Sequence, residues 1–168
     1  MSADFSERVR LAQAGDADAF SELYALVYKD LYRIAYYTLK NAHDAQDVVS
    51  DTVLDAFASI RKLKDEEAFR AWIMKILSAK IKRKLQEYVR NRIVVTYEFE
   101  SEELNYDGID LKQEFNRLPD EERLILSMSV VSGYTSEEIS KATGINANTV
   151  RSKLARAKDK LRMRLASV

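Results

Sequence analysis

The sequence predicts an all-α fold: two small helical domains, residues 1–92 and 112–168, joined by an acidic linker over 93–111. Three observations carry this. Four Gly and one Pro in 168 residues leave little material for β-turns, whereas 46% hydrophobic and 32% charged residues suit amphipathic helices. Apolar positions recur at three and four along most of the chain. The charge, zero overall with 27 bases and 27 acids, is sorted into blocks of alternating sign. Residues 1–60 hold 10 acids and 5 bases, and residues 61–92 hold 11 bases and 4 acids. Residues 93–114 hold 7 acids and one Lys, and residues 115–168 hold 10 bases and 6 acids. Two basic blocks on either side of an acidic bridge point to two contacts with a polyanion; solvated helix faces account equally well for either block alone. The same blocks predict that opposite signs pair within the free chain, giving a compact, autoinhibited state.

From the N-terminus, residues 5–14 read as a short helix stopped at Gly15, with Asp16 and Asp18 as caps for the next one. From Ala19 to about Lys40, Phe20, Leu23, Val27, Leu31, Ile34, Ala35 and Leu39 define one broad buried face. Tyr24, Tyr28, Tyr32 and Tyr36 form a column that reads as a core stripe rather than a ligand box. Asn41-Ala42-His43 is a turn, and a helix follows from about Asp44 to Ile60 with Val48, Val49, Val53, Ala56, Phe57 and Ile60 on one side. Its other side carries Asp44, Asp47, Asp51 and Asp55 in one ridge. No Lys or Arg lies on that helix, so the ridge is self-repelling, which favours a docking surface for a basic partner over a solvated face. Residues 61–68 are a charged connection. The next helix, about Phe69 to Val89, starts apolar and turns basic at Lys80, Lys82, Arg83 and Lys84. Residues 93–99, IVVTYEF, suit a short extended segment inside the linker.

The last third closes as a compact unit. Pro119 opens a helix with Asp120, Glu121 and Glu122 at its positive end, and Gly133 stops it. Thr135 and Glu138 fit a capping box before SEEISKAT; Gly144 then supplies a left-handed turn and Asn146 caps a final helix to about Leu165. Two short helices joined in this way form a helix-turn-helix. Val150, Leu154, Ala157, Leu161 and Leu165 make the buried stripe of the last helix, and Asn148, Ser152 and Arg156, flanked by Thr149, Arg151 and Lys153, face outward. Small polar groups near the helix start can enter a major groove and read base edges, while bases further along hold phosphates.

Other chemistries find little support. There is no Cys for a disulfide, thiolate or metal cage, and the single His43 has no triad partners. No Gly-rich phosphate loop or metal-ligand spacing accompanies the abundant carboxylates, so no enzyme and no cofactor is expected. No apolar run approaches the ~20 residues of a membrane span, and MSADFSERVR lacks a signal-peptide core, which predicts a soluble, cytoplasmic protein with no membrane segment of its own.

The run LPDEERLILSMSVVSGYTSEEISKATGINANTVRSKLARAKDKL resembles the −35-reading domain of bacterial RNA polymerase sigma factors. Upstream, AGDADAFSELYALVYKDLYRIAYY, DAQDVVSDTVLDAF and FRAWIMKIL resemble, in order, their polymerase-binding and −10-reading domain. The class resembled is the extracytoplasmic-function (ECF) type, and the likeness covers about residues 5–92 and 112–165. It implies a factor that binds core RNA polymerase, directs it to chosen promoters and assists their melting. Asp44, Asp47, Asp51 and Asp55 would then dock on the polymerase. The loop around Leu63 and Lys64 would capture an unstacked −10 base, and the helix carrying Lys75, Ser78, Ala79, Lys80, Lys82 and Arg83 would line the junction of double- and single-stranded promoter DNA. A basic groove suits phosphates, and a shaped pocket offsets the few kcal/mol lost on unstacking a base. The resemblance also implies an anti-sigma factor as partner. Ser50, Asp51, Val53, Ala79, Arg83 and Asn148 depart from residues frequent in the family, and Trp72 reads as a core residue rather than a stacking platform. A different reading of the same residues is a helix-turn-helix regulator that is not a polymerase specificity subunit; it needs no Asp ridge.

Overall fold

Gly15 turns the chain at φ 100°, and the Asp16 carboxylate then accepts hydrogen bonds from the Asp18 and Ala19 N–H groups, so one helix stops and the next starts within three residues. The computed structural model describes residues 3–91 and 106–166. In the N-terminal module α1 (Ala3–Gln13) is followed by α2 (Ala17–Leu39), whose Leu23, Leu31, Ile34, Ala35 and Leu39 are completely buried. The tyrosine column runs beside this face: Tyr24, Tyr32 and Tyr36 are half-buried against the core, while Tyr28 is 39% exposed. Asn41 caps α3 (Ala42–Ser59) by accepting from the Asp44 N–H, so the expected turn is already the helix start at Ala42 and His43. Two 3-10 turns, Ile60–Lys62 and Glu66–Ala68, form the charged connection. The Gln13 amide braces it by donating to the Ile60 and Leu63 carbonyls at 3.0 and 2.8 Å. α4 (Phe69–Arg90) is the central helix: Phe69, Ile73, Met74, Leu77 and Ile81 are all 1% exposed or less, each contributing about 1.5–3 kcal/mol by burial.

The C-terminal module opens with α5 (Tyr106–Asn116), which begins inside the span assigned to the linker. The rest of that span, including the expected extended segment 93–99, lies outside the described residues. α6 (Asp120–Leu126) follows Pro119 and runs directly into a π-helical turn, Ser127–Val131, that the periodicity did not predict. The capping box at Thr135 is complete, with the Glu138 N–H donating to the Thr135 hydroxyl and the Thr135 N–H to the Glu138 carboxylate. It starts α7 (Ser136–Thr143), which ends at Gly144 with φ 77°. The Asn146 side chain accepts from the Asn148 N–H at the head of α8 (Ala147–Ala166), completing the helix-turn-helix.

The two modules touch. α4 lies along α7, and α2 packs on α6 and its π-helical continuation. Arg123, 3% exposed, donates to the Thr38 carbonyl from Nε and a terminal nitrogen at 3.1 and 3.0 Å. Lys82 donates to the Thr143 carbonyl. Arg70, paired with Asp30 at 3.0 Å, sits 6.0 Å over the Tyr134 ring, and Tyr37 meets Phe115 edge-on. Between the modules these contacts are cations on carbonyls or rings and aromatic packing, while the opposite-sign blocks pair inside each module, Asp30 with Arg70, Asp55 with Lys80, Asp44 with Lys84 and Glu114 with Arg164.

Candidate functional site

At the head of α8, Val150, Leu154 and Ala157 turn into the module, which leaves Asn148, Thr149, Arg151, Ser152 and Arg156 exposed on the other side. Burial of three residues at spacings of four and three fixes the rotation of the whole helix. Arg151 donates to the Asn148 side-chain oxygen at 2.8 Å and to the Glu137 carboxylate on α7. The Glu137 carboxyl is held below the usual carboxylate range by its own backbone N–H and by that guanidinium. The Ser152 hydroxyl donates to the Asn148 carbonyl at 3.0 Å. Lys153, expected on the outward face, is only 25% exposed and pairs with Glu121 at 2.8 Å, so it bridges α8 to α6. Of the rest of the expected stripe, Leu161 is half-buried, while Leu165 is 38% exposed at the edge of an apolar groove of about 500 Å³ shared with Leu111 and Phe115.

On the N-terminal module, Lys64, Lys75, Ala79 and Arg83 are exposed, the last three at spacings of four along α4. Leu63 is half-buried, with its carbonyl held by Gln13. Ser78 is 1% exposed, so this structure corrects its assignment to the DNA face: one position before Ala79, the helix has already turned toward the core. Lys80, 17% exposed, pairs with Asp55 at 2.7 Å, and Lys82 faces α7. Trp72 is half-buried and tilted against Phe69 at 6.0 Å, as a core-flanking residue.

The aspartate ridge divides. Asp44, 19% exposed, pairs with Lys84 at 3.7 Å and accepts from the Tyr88 hydroxyl. Burial, then that hydrogen bond, drives the Tyr88 phenol far above its ordinary range. Asp55 is tied to Lys80, whereas Asp47, 59% exposed, and Asp51 face outward, with His43 3.5 Å from Asp47. The repulsion expected from α3 alone is thus neutralised at both ends by α4. The sequence placed Lys84 in the basic half of α4 without its aspartate partner, and Tyr88, Gln13 and Arg123 were not singled out; a signal existed for Lys84 and Tyr88, since Lys80, Lys84 and Tyr88 repeat at four like the acidic column they meet.

Among the described residues no helix is long and apolar enough to cross a membrane, and no three His, Cys, Asp or Glu side chains gather in a group that could hold a metal ion. The family model for sigma-70 region 2 matches residues 23–91, and that for sigma-70 region 4 matches residues 109–161. The chain is 31% identical over 141 residues to RNA polymerase sigma factor SigV of Bacillus subtilis, covering 82% of this chain and 85% of that one. It is 24% identical over 179 residues to the ECF RNA polymerase sigma factor SigW of the same organism, covering 95% of each. Its fold is similar to that of the sigma factor RpoE from Bartonella quintana, solved in complex with the anti-sigma factor NepR (TM-score 0.76, 23% identity, 88% of this chain and 96% of that one). With both regions matched in the order and at the places where the two helical modules lie, the chain belongs to the sigma-70 family of RNA polymerase sigma factors, in its extracytoplasmic-function class.

Proposed function

We propose that this sigma factor docks on core RNA polymerase through Asp47 and Asp51, reads the −35 element through the head of α8, and holds the opened −10 strand along Lys64, Lys75, Ala79 and Arg83. The observation that carries the reading is the outward face of α8. Asn148, Thr149, Arg151, Ser152 and Arg156 stand exposed at the start of the second helix of a helix-turn-helix, with amide, hydroxyl and guanidinium groups that match base edges and phosphates. The exposed cations on α4 add a track for a single strand. The chain itself catalyses nothing and needs no cofactor, because RNA synthesis belongs to the polymerase, and it works in the cytoplasm where the polymerase is. An anti-sigma factor, as in the complex of the Bartonella protein, is the expected regulator.

The test is transcription in vitro with core polymerase and a library of promoter fragments, sequencing the start sites. Adding the chain gives a defined set of starts preceded by common −35 and −10 sequences. Starts as scattered as those of core polymerase alone overturn the reading and leave the helix-turn-helix regulator.

A further inference from the structure

Asn148 stands in the first turn of α8 with its backbone N–H held by the Asn146 side chain. Because Cα–Cβ bonds tilt toward the N-terminus of a helix, its exposed amide projects past the helix head. Arg151 donates from one terminal nitrogen to the Asn148 side-chain oxygen at 2.8 Å and from the other to the carboxylate of Glu137 on α7. A guanidinium has donors only, so the Asn148 atom facing Arg151 is the oxygen, and the amide NH2 is the end turned away from it. We propose that Asn148 is a specificity-determining residue of the −35 contact, that Glu137 acts through Arg151 as its positioning residue, and that the base selected is a keto base, guanine or thymine. This rests on the promoter reading above, which supplies the base that Asn148 meets.

The major-groove edge of guanine carries acceptors alone, N7 and O6, and that of thymine carries O4; adenine and cytosine each put an amino group there. A free asparagine suits adenine, since its oxygen accepts from N6 while its NH2 donates to N7. Asn148 does not offer that pair of contacts, because Arg151 turns its oxygen aside and leaves the NH2 leading. An amino base then meets donor against donor, and a keto base meets donor against acceptor. The Glu137–Arg151 pair is exposed at both ends, 61% and 51%, and a pair of that kind contributes little to stability. Its effect is on orientation. Held from the neighbouring helix, the guanidinium keeps one direction across the turn, and the Asn148 amide takes its own direction from that. Glu137 and Arg151 are 14 positions apart, so the sequence pattern of α8 alone does not show the arrangement.

Transcription by core polymerase with the full chain, on a library of promoters randomised across the −35 region, reads the base preference at each position. The wild-type chain is expected to favour guanine or thymine over adenine or cytosine at one position by roughly five-fold or more. Asn148→Asp puts an acceptor where the NH2 stood, and reverses the preference at that position to cytosine or adenine while the other positions keep theirs. Glu137→Ala releases Arg151, so adenine rises there to the level of guanine. Glu137→Gln still accepts from Arg151 and keeps the wild-type pattern. A change in net charge or in folding alone shifts all sequences together and does not move a single position. A profile of Asn148→Asp or of Glu137→Ala equal to that of the wild type overturns the proposal, and so does an Asn148-dependent position that the wild type fills with adenine or cytosine; a common −35 sequence in those results keeps the promoter reading. A wild-type chain that selects no common −35 sequence removes both.

Discussion

Lys40 ends α2 with φ 61°, the sole non-glycine residue at positive φ among those described. A Cβ in that region is strained, so Lys40→Gly is expected to stabilise the chain by about 0.5–1 kcal/mol, read as a higher urea midpoint. Arg156, exposed and one turn beyond Ser152, is the residue placed best to reach a base edge. Arg156→Ala should weaken binding to a −35 duplex by about 1–3 kcal/mol and flatten discrimination at one base pair. Loss that is uniform across sequences reduces it to a phosphate contact. Ser78 and Lys153 show where reading single residues fails. Each has cations close by in the sequence, Lys75 and Lys80 for Ser78 and Arg151 and Arg156 for Lys153, yet one faces the core and the other bridges to Glu121, because the rotation of a helix is set by what it buries.

At the level of elements, the helices that were legible carry their signals locally. Gly15, Asp16, the Thr135–Glu138 box and Gly144 each act within a turn of where they stand, and each lies where the sequence placed it, whereas Asn41 caps a helix that starts at Ala42, inside the expected turn. The π-helical turn after Leu126 was not legible, since its extra residue is accommodated by packing against α2 and α7 rather than by a local residue preference. The two halves of the aspartate ridge predict different phenotypes. Asp47→Lys with Asp51→Lys should abolish co-purification with core polymerase and leave helical content intact, because both side chains face solvent. Asp44→Asn instead weakens bonds to Tyr88 and Lys84 inside the module and should lower stability by about 1–2 kcal/mol in denaturant titration.

Across the whole molecule, burial pushes the phenols of Tyr24, Tyr88 and Tyr134 above the ordinary value of 10.0. Below pH 10 these groups are protonated in both folded and unfolded chains, and stability does not depend on them. Above it the unfolded chain ionises first and binds fewer protons than the folded one, so stability falls as pH climbs. Unfolding midpoints that stay level from pH 9 to 11 contradict the burial of these three rings, and tyrosine absorbance should show them ionising last.

By itself the sequence determined most of the helices, the caps at Asp16, Thr135 and Gly144, the helix-turn-helix and the family, because periodicity, capping and motif order are properties of neighbouring residues. Only the tertiary structure decided which charges remain outward. Asp44 with Lys84, Asp55 with Lys80, Lys153 with Glu121, and Arg123 with Thr38 join residues 25 to 85 positions apart. A charge is silenced or presented by whatever folds against it, and nothing beside it in the chain carries that information.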